Sequence, residues 1–346
     1  MVNYRTLIGN INNRYNPESL SNVQNNLDRI ICGIDGDVKK YVRLAMNEVD
    51  PFYTQKTLDA GECVKKHLEQ GLPYFVDFAY QGSVMTRTHI RGVSDIDLLT
   101  FAKEFSRTDY AKAKSYVESN QFSMNPAVSR VQNWLNSFSL YTGDAEADLR
   151  RLRLDDEKVL KSKYAICDTS KPKSIRITNQ HLHRDVDVVV ASWHDSLDFI
   201  KGAGDEYRGI YIYDKDENES LGPDFPFLSI KRINDRSALT DGRLKKMIRF
   251  LKNVKADSTL SIDLSSFDIN AICYDIDVDD YKYLHYLALV PVIWLKLHRL
   301  CTDSLMANNL KSVDGSEYIF RDKPSKIENL KRLENEVWKI YNEIKL

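Results

Sequence analysis

Two short runs limit what this chain can become: Ser94-Asp95-Ile96-Asp97-Leu98-Leu99-Thr100-Phe101 and Asp185-Val186-Asp187-Val188-Val189-Val190-Ala191. Both are strand-like in residue type, and both place two carboxylates two residues apart beside an apolar stretch. Residues i and i+2 of a strand point to one face, so Asp95 and Asp97 share a face with Cα atoms roughly 6.5 to 7 Å apart. Asp185 and Asp187 pair in the same way, on an odd-numbered face that also carries His181 and His183 in a strand read from His181 to Ala191. Val186, Val188 and Val190 then face a core. Unpaired carboxylates beside such a core cost several kcal/mol, so cations or hydrogen-bond donors are expected nearby.

Gln81-Gly82-Ser83 precedes the first run, with eleven residues between Ser83 and Asp95. A glycine there lets backbone approach a phosphate closely, and the serine adds a hydroxyl donor. Carboxylates at the spacing of Asp95 and Asp97 can share a pair of divalent ions about 3.5 to 4 Å apart. Such a site needs a further acid, and the second run supplies Asp185 and Asp187 as candidates. A Gly-Ser turn, an Asp-x-Asp strand and a later acidic strand together suit metal-dependent chemistry on a nucleoside triphosphate. A His-x-His on one strand face without cysteine partners is more often polar surface than a metal site.

The remaining pattern places helices over Leu20–Ile31, Val38–Val49 and Thr54–Glu69, ended by Gly71-Leu-Pro, and a strand over Val76–Tyr80. Asp109 to Lys163 is charged and helix-prone with a break at Pro126. Ser174 to Thr178 reads as a strand antiparallel to the acidic one. Lys215 to Pro226 reads as a surface loop into a second subdomain. Further helices are expected over Asp241–Val254, Ser265–Tyr274, Tyr281–Leu300 and Lys326–Ile344. In the last, Leu330, Leu333, Val337, Trp338, Tyr341 and Ile344 recur as a packing stripe.

The 346 residues suffice for two closely packed subdomains. Their 49 basic and 50 acidic side chains leave a formal charge of −1, so nothing global marks a nucleic acid as an obligatory partner. Cys32, Cys63, Cys167, Cys273 and Cys301 are scattered without metal-ligand spacing and read as reduced, mostly buried thiols. No apolar run approaches a membrane span and the N-terminus carries no apolar signal core, so no membrane partner is expected and the cytoplasm is the expected compartment.

These residues resemble the DNA polymerase β-like nucleotidyltransferase superfamily. Within it they look most like the bacterial CD-NTases, relatives of cyclic GMP-AMP synthase and oligoadenylate synthase that make cyclic oligonucleotide signals in anti-phage CBASS operons. Gln81-Gly82-Ser83 followed by Ser94-Asp95-Ile96-Asp97-Leu98 resembles the first motif of that family, and Asp187-Val-Val-Val-Ala191 its third-acid strand. Leu244 to Lys255 and Leu264-Ser265-Ser266-Phe-Asp-Ile-Asn resemble the helical half, where a lysine and a serine reach the triphosphate.

The resemblance implies an α+β, bilobal fold: a mixed sheet flanked by helices over 1–222, with N-terminal helices, and a helical lobe over 223–346. It favours Asp187 over Asp185 as the third acid; Lys252 is preferred over Lys255 as the phosphate contact because it follows the apolar Phe250-Leu251 step, and of Ser265 and Ser266, both open, Ser266 is the candidate. Asp95, Asp97 and Asp187 would hold two Mg²⁺ ions, for which Mn²⁺ can substitute. Gln81, Gly82, Ser83, Lys252 and Ser266 would bind nucleotide. The implied substrates are nucleoside triphosphates, ATP or GTP foremost with a pyrimidine also open. The product is a cyclic di- or trinucleotide read by a separate effector protein, and the enzyme is expected to be a monomer. The competing readings are transfer to an RNA or protein acceptor on the same fold, and a non-catalytic nucleotide-binding module.

Overall fold

The computed structural model describes residues 3–15, 21–90 and 96–345. The chain divides into two compact units, one of Met1–Thr54, Ser83–Ser94 and Arg232–Leu346, the other of Gln55–Gly82 and Asp95–Lys231. Helices α1 (Tyr4–Tyr15), α2 (Ser21–Ile31), α3 (Asp37–Met46) and α4 (Pro51–Gly71) lead to strands β1 (Asp77–Gln81), β2 (Ile96–Phe101) and β3 (Arg107–Thr108). Helices α5 (Tyr110–Ser119), α6 (Pro126–Ser137) and α7 (Ala145–Lys163) follow, then β4 (Cys167–Asp168), β5 (Ile175–Asn179), β6 (Arg184–Asp195), α8 (Leu197–Ile200), β7 (Gly209–Asp214) and β8 (Glu219–Asp224). The remainder is α9 (Pro226–Leu239), α10 (Arg243–Asp257), α11 (Ser266–Tyr274), α12 (Leu289–Thr302), α13 (Ser304–Asn309) and α14 (Pro324–Lys345).

Among the described residues, eight strands form one mixed sheet with β6 as its spine. One edge of β6 runs parallel to β2, matching Ile96–Phe101 to Val186–Ala191, while its other edge is antiparallel to β5 and β7. A strand paired on both edges and covered on both faces can carry a continuous apolar run, which is why Val188 to Ala191 are all buried. The odd-numbered face holds Asp97 and Asp187 at one end, then Leu99, Phe101, Val189 and Ala191 in a dry cluster with Ile210. Trp193 closes that cluster, its ring stacked on Phe101 with centroids 3.9 Å apart. The helices beside the sheet start at caps written in the sequence: Asn125 accepts from the Ala127 amide with Pro126 at the first turn of α6, and Asp144 accepts from Glu146 and Ala147 at α7.

The helical unit packs around α10, where Leu244, Met247, Ile248, Phe250, Leu251 and Val254 are all buried. On α14 the buried stripe is Leu330, Leu333, Val337 and Ile340. Trp338, expected within it, is 46% exposed, because Ile340 completes the i, i+3, i+7, i+10 face and Trp338 falls beside it.

Four further expectations change. His181 and His183 are not on the acidic strand: Asn179 pairs with Arg184, leaving 180–183 as a turn in which the Asn179 side chain accepts from the His181 and Leu182 amides. The stretch from Lys215 is not all loop, since β8 pairs antiparallel with β7 despite Gly222-Pro223. β8 is largely exposed, the place where a sheet tolerates proline, and a Cβ on Gly222 would sit 2.7 Å from the Ile210 carbonyl. Helix α12 begins at Leu289 rather than Tyr281, because Pro291 is tolerated only in a first turn. Of the cysteines, Cys273 is buried and Cys32 exposed, and all five are free.

Candidate active site

The strand register creates the acidic centre. Asp97 and Asp187 are direct partners across the parallel β2–β6 pair, so their Cα atoms are neighbours at about the 4.8 Å inter-strand spacing and both side chains leave the same face. Asp95 lies outside the described residues. On the other edge of β2, Gln81 is the register partner of Asp97. Gly82 follows it with φ 87°, and a Cβ built there would stand 2.5 Å from Asp97 Oδ2. Glycine is therefore required twice over, by the left-handed backbone and by the carboxylate lying against it.

The two acids of β6 have different surroundings. Asp185 accepts from Thr178 Oγ1 at 2.6 Å and Arg176 Nη2 at 2.7 Å. Burial pushes its carboxyl up, but the Thr178 and Arg176 bonds outweigh that and hold it below the ordinary carboxylate range. Asp187 Oδ1 is buried and lacks a hydrogen-bond partner, its one cation neighbour being Lys171 Nζ at 3.6 Å among the described residues. A buried carboxylate oxygen without a hydrogen-bond donor, beside a second carboxylate on the next strand, is chemically suited to a divalent cation. The donor set fits hard cations such as Mg²⁺ or Mn²⁺. Asp185, already satisfied by its own sheet, is left as a neighbour that orients Arg176.

In the helical unit, Ser83 opens a tight loop whose underside is polar and dry. The Ser83 carbonyl accepts from the Thr88 amide at 2.9 Å and from Thr86 Oγ1 at 3.1 Å, and Thr86 and Thr88 hydroxyls meet at 2.8 Å. Lys252 Nζ approaches Thr88 Oγ1 at 3.5 Å. Arg249 donates to the Arg87 and Met46 carbonyls at 2.8 and 2.9 Å. His89, 1% exposed, faces Thr54 Oγ1 at 3.0 Å. Its pKa is lowered to about 4 by burial and by Lys252 and Arg249, so it is neutral at physiological pH.

Lys252 is only 4% exposed, and burial lowers its pKa to about 7. This lysine is directed inward without a carboxylate partner among the described residues. Lys255 is engaged elsewhere, donating to the Leu264 carbonyl at 2.6 Å. Ser265 is the N-cap of α11, in a reciprocal capping box with Asp268. Ser266 follows it, exposed, with its hydroxyl outside that box.

Sequence reasoning missed Thr86, Thr88, His89 and Lys171. The Thr86–His89 segment is polar and short, and only its burial reveals it as a built support.

A mixed sheet with adjacent acidic strands, a glycine-backed turn and an all-helical second unit define a polymerase β-like nucleotidyltransferase. Residues 231–342 match the family model for the cGAS/DncV-like nucleotidyltransferase C-terminal helical domain. The chain is 49% identical to a c-di-GMP synthase of Lachnospiraceae bacterium (strain RUG226), over 99% of this chain and 98% of that one. The solved STING-associated CdnE c-di-GMP synthase from Capnocytophaga granulosa shares 44% identity over 99% of both chains with a TM-score of 0.82. That from Flavobacteriaceae sp. shares 34% over 99% of both chains with a TM-score of 0.85. The chain belongs to the CD-NTase family, and it is a nucleotidyltransferase of cyclic dinucleotide synthesis acting on nucleoside triphosphates. Among the described residues no helix is long and apolar enough to cross a membrane.

Proposed function

We propose that the chain joins two GTP molecules into cyclic di-GMP, releasing one pyrophosphate at each of two phosphodiester bonds, as a signal in CBASS defence. The observation that carries this reading is its near-full-length identity, 49% and 47%, to two c-di-GMP synthases. In this reading Asp95, Asp97 and Asp187 hold two Mg²⁺ ions, with Mn²⁺ able to substitute. Bound there, the ions supply Lewis acidity to the attacking ribose hydroxyl and charge neutralisation to the triphosphate.

The chain's own groups do the rest. Asp187 is the candidate to assist deprotonation of the attacking hydroxyl. Gly82 keeps the strand-end turn narrow against Asp97, and Ser83 directs a hydroxyl and backbone toward phosphate oxygens. Lys252 places positive charge under the Ser83 loop, and Ser266 offers a hydroxyl at the start of α11, where the helix dipole favours anions. The relatives described as STING-associated make a separate STING-containing effector the expected reader of the product. The protein acts as a monomer, in the cytoplasm, without a nucleic-acid acceptor.

The test is product analysis from GTP, ATP, CTP and UTP, singly and mixed, with Mg²⁺ or Mn²⁺. GTP alone gives a compound of cyclic di-GMP mass resistant to phosphatase. A product requiring a second base, or an added RNA or protein acceptor, would overturn the assignment.

A further inference from the structure

Lys171 is the one cation that approaches the buried Asp187 oxygen among the described residues, with Nζ 3.6 Å from Oδ1. Its reach is set by a loop that cannot easily move. Arg153, 1% exposed on α7, donates to the carbonyls of Lys171 at 3.0 Å, Ser174 at 3.1 Å and Pro172 at 3.3 Å, and to Glu157 at 2.8 Å. From the other side the Lys215 amide donates to the Pro172 carbonyl at 3.1 Å, and the Lys215 ammonium donates to the Thr169 carbonyl. A guanidinium buried to hold one short loop is costly unless it is fully bonded, and here its bonds fix the backbone of 171–174. The loop's lysine side chain remains partly exposed, its amine resting on the carboxylate of the third acid.

We propose that Lys171 is a placeholder cation. It neutralises Asp187 while the site holds no divalent ion and must be displaced from Oδ1 when the ion arrives, so that metal loads efficiently only with the triphosphate that brings further ligands. The inference rests on the assignment of Asp187 as a metal-holding residue. Because the Lys171 side chain is 38% exposed, the ammonium competes with the ion but does not exclude it. Lys171 is a positioning residue, acting through Asp187.

The experiment is Mn²⁺ titration of nucleotide-free protein, reading the free aqua ion by electron paramagnetic resonance. Lys171→Met is expected to bind Mn²⁺ about fivefold more tightly than wild type, the factor that a partly exposed ion pair withholds. Lys171→Arg keeps wild-type affinity, and Asp187→Asn weakens it. If Lys171→Met binds no more tightly while Asp187→Asn still weakens binding, the placeholder role falls and the metal assignment stands. If Asp187→Asn changes nothing, both fall.

Discussion

Lys252→Met should make the protein more stable at neutral pH while removing its activity. In the free protein the amine is 4% exposed, its one hydrogen-bond partner among the described residues is Thr88 Oγ1 at 3.5 Å, and Arg249 and Lys255 repel it. Burial takes its pKa from 10.5 to about 7. The unfolded chain therefore holds a proton between pH 7 and 10.5 that the folded chain lacks, and stability rises with pH through that window. Below pH 7 the penalty is fully present and converts to on the order of 5 kcal/mol. Losing the Thr88 contact and leaving that hydroxyl less satisfied returns roughly 1 to 2 kcal/mol. A net gain of about 3 kcal/mol at pH 6, shrinking toward zero by pH 10, is expected in urea melts run across that range. In the proposed reading nucleotide provides the compensating charge, so GTP binding at pH 8 should draw about one proton onto the wild-type amine, seen in calorimetry as a buffer-dependent heat that the methionine variant lacks. A variant less stable than wild type at pH 6 would refute the reasoning, since it would mean that the ammonium is paired.

Other perturbations separate the remaining parts. Gly82→Ala places a Cβ where Asp97 Oδ2 now lies at 2.5 Å, in a backbone of φ 87°, so it should cut turnover at least about 10²-fold, measured by pyrophosphate release. Asp97→Asn should lose about 10³-fold or more of product while retaining a cooperative thermal transition. Asp156, wholly buried with Thr100 donating to Oδ2 at 2.8 Å, has its pKa raised to about 7 by burial. The folded chain thus keeps a proton that the unfolded one loses above about pH 4, and stability falls as pH climbs to 7. Asp156→Asn should be more stable than wild type at pH 8 and nearly equal to it at pH 4, by urea melts.

The parts of this fold that were legible in the sequence are those where one physical effect dominates. β2 and β6 carry continuous apolar runs because both edges and faces are covered, and the carboxylates opening each run announce a strand end that gathers charge. The helix start at Ser265 is equally plain, because caps are local chemistry, whereas Pro126, read as a break, is the first residue of α6. β8 was hidden because Gly222-Pro223 reads as a breaker, and only pairing to β7 makes it a strand. The placing of His181 and His183 depended on where the hairpin turns, a matter of register rather than periodicity. Asp185 and Asp187 look alike in the chain. Thr178 and Arg176, brought by the neighbouring strand, satisfy one and leave the other.

That asymmetry has a counterpart in the helical unit, and together they say what the two units contribute. Each unit buries one charged or chargeable group with incomplete compensation: Asp187 Oδ1 against the sheet, without a hydrogen-bond donor and with Lys171 at 3.6 Å, and Lys252 under the Ser83 loop, without a carboxylate partner among the described residues. Evolution toward stability alone would replace either with an apolar or paired residue, because uncompensated burial costs several kcal/mol. In the proposed reading each is offset by a ligand, a divalent cation for the carboxylate and a triphosphate for the amine. A protein arranged this way is weakest when empty, and its stability should rise more steeply when cation and GTP are added together than with either alone. The increments are additive if the two groups serve unrelated ends, so a thermal-shift matrix of Mg²⁺ against GTP decides between coupled and independent binding.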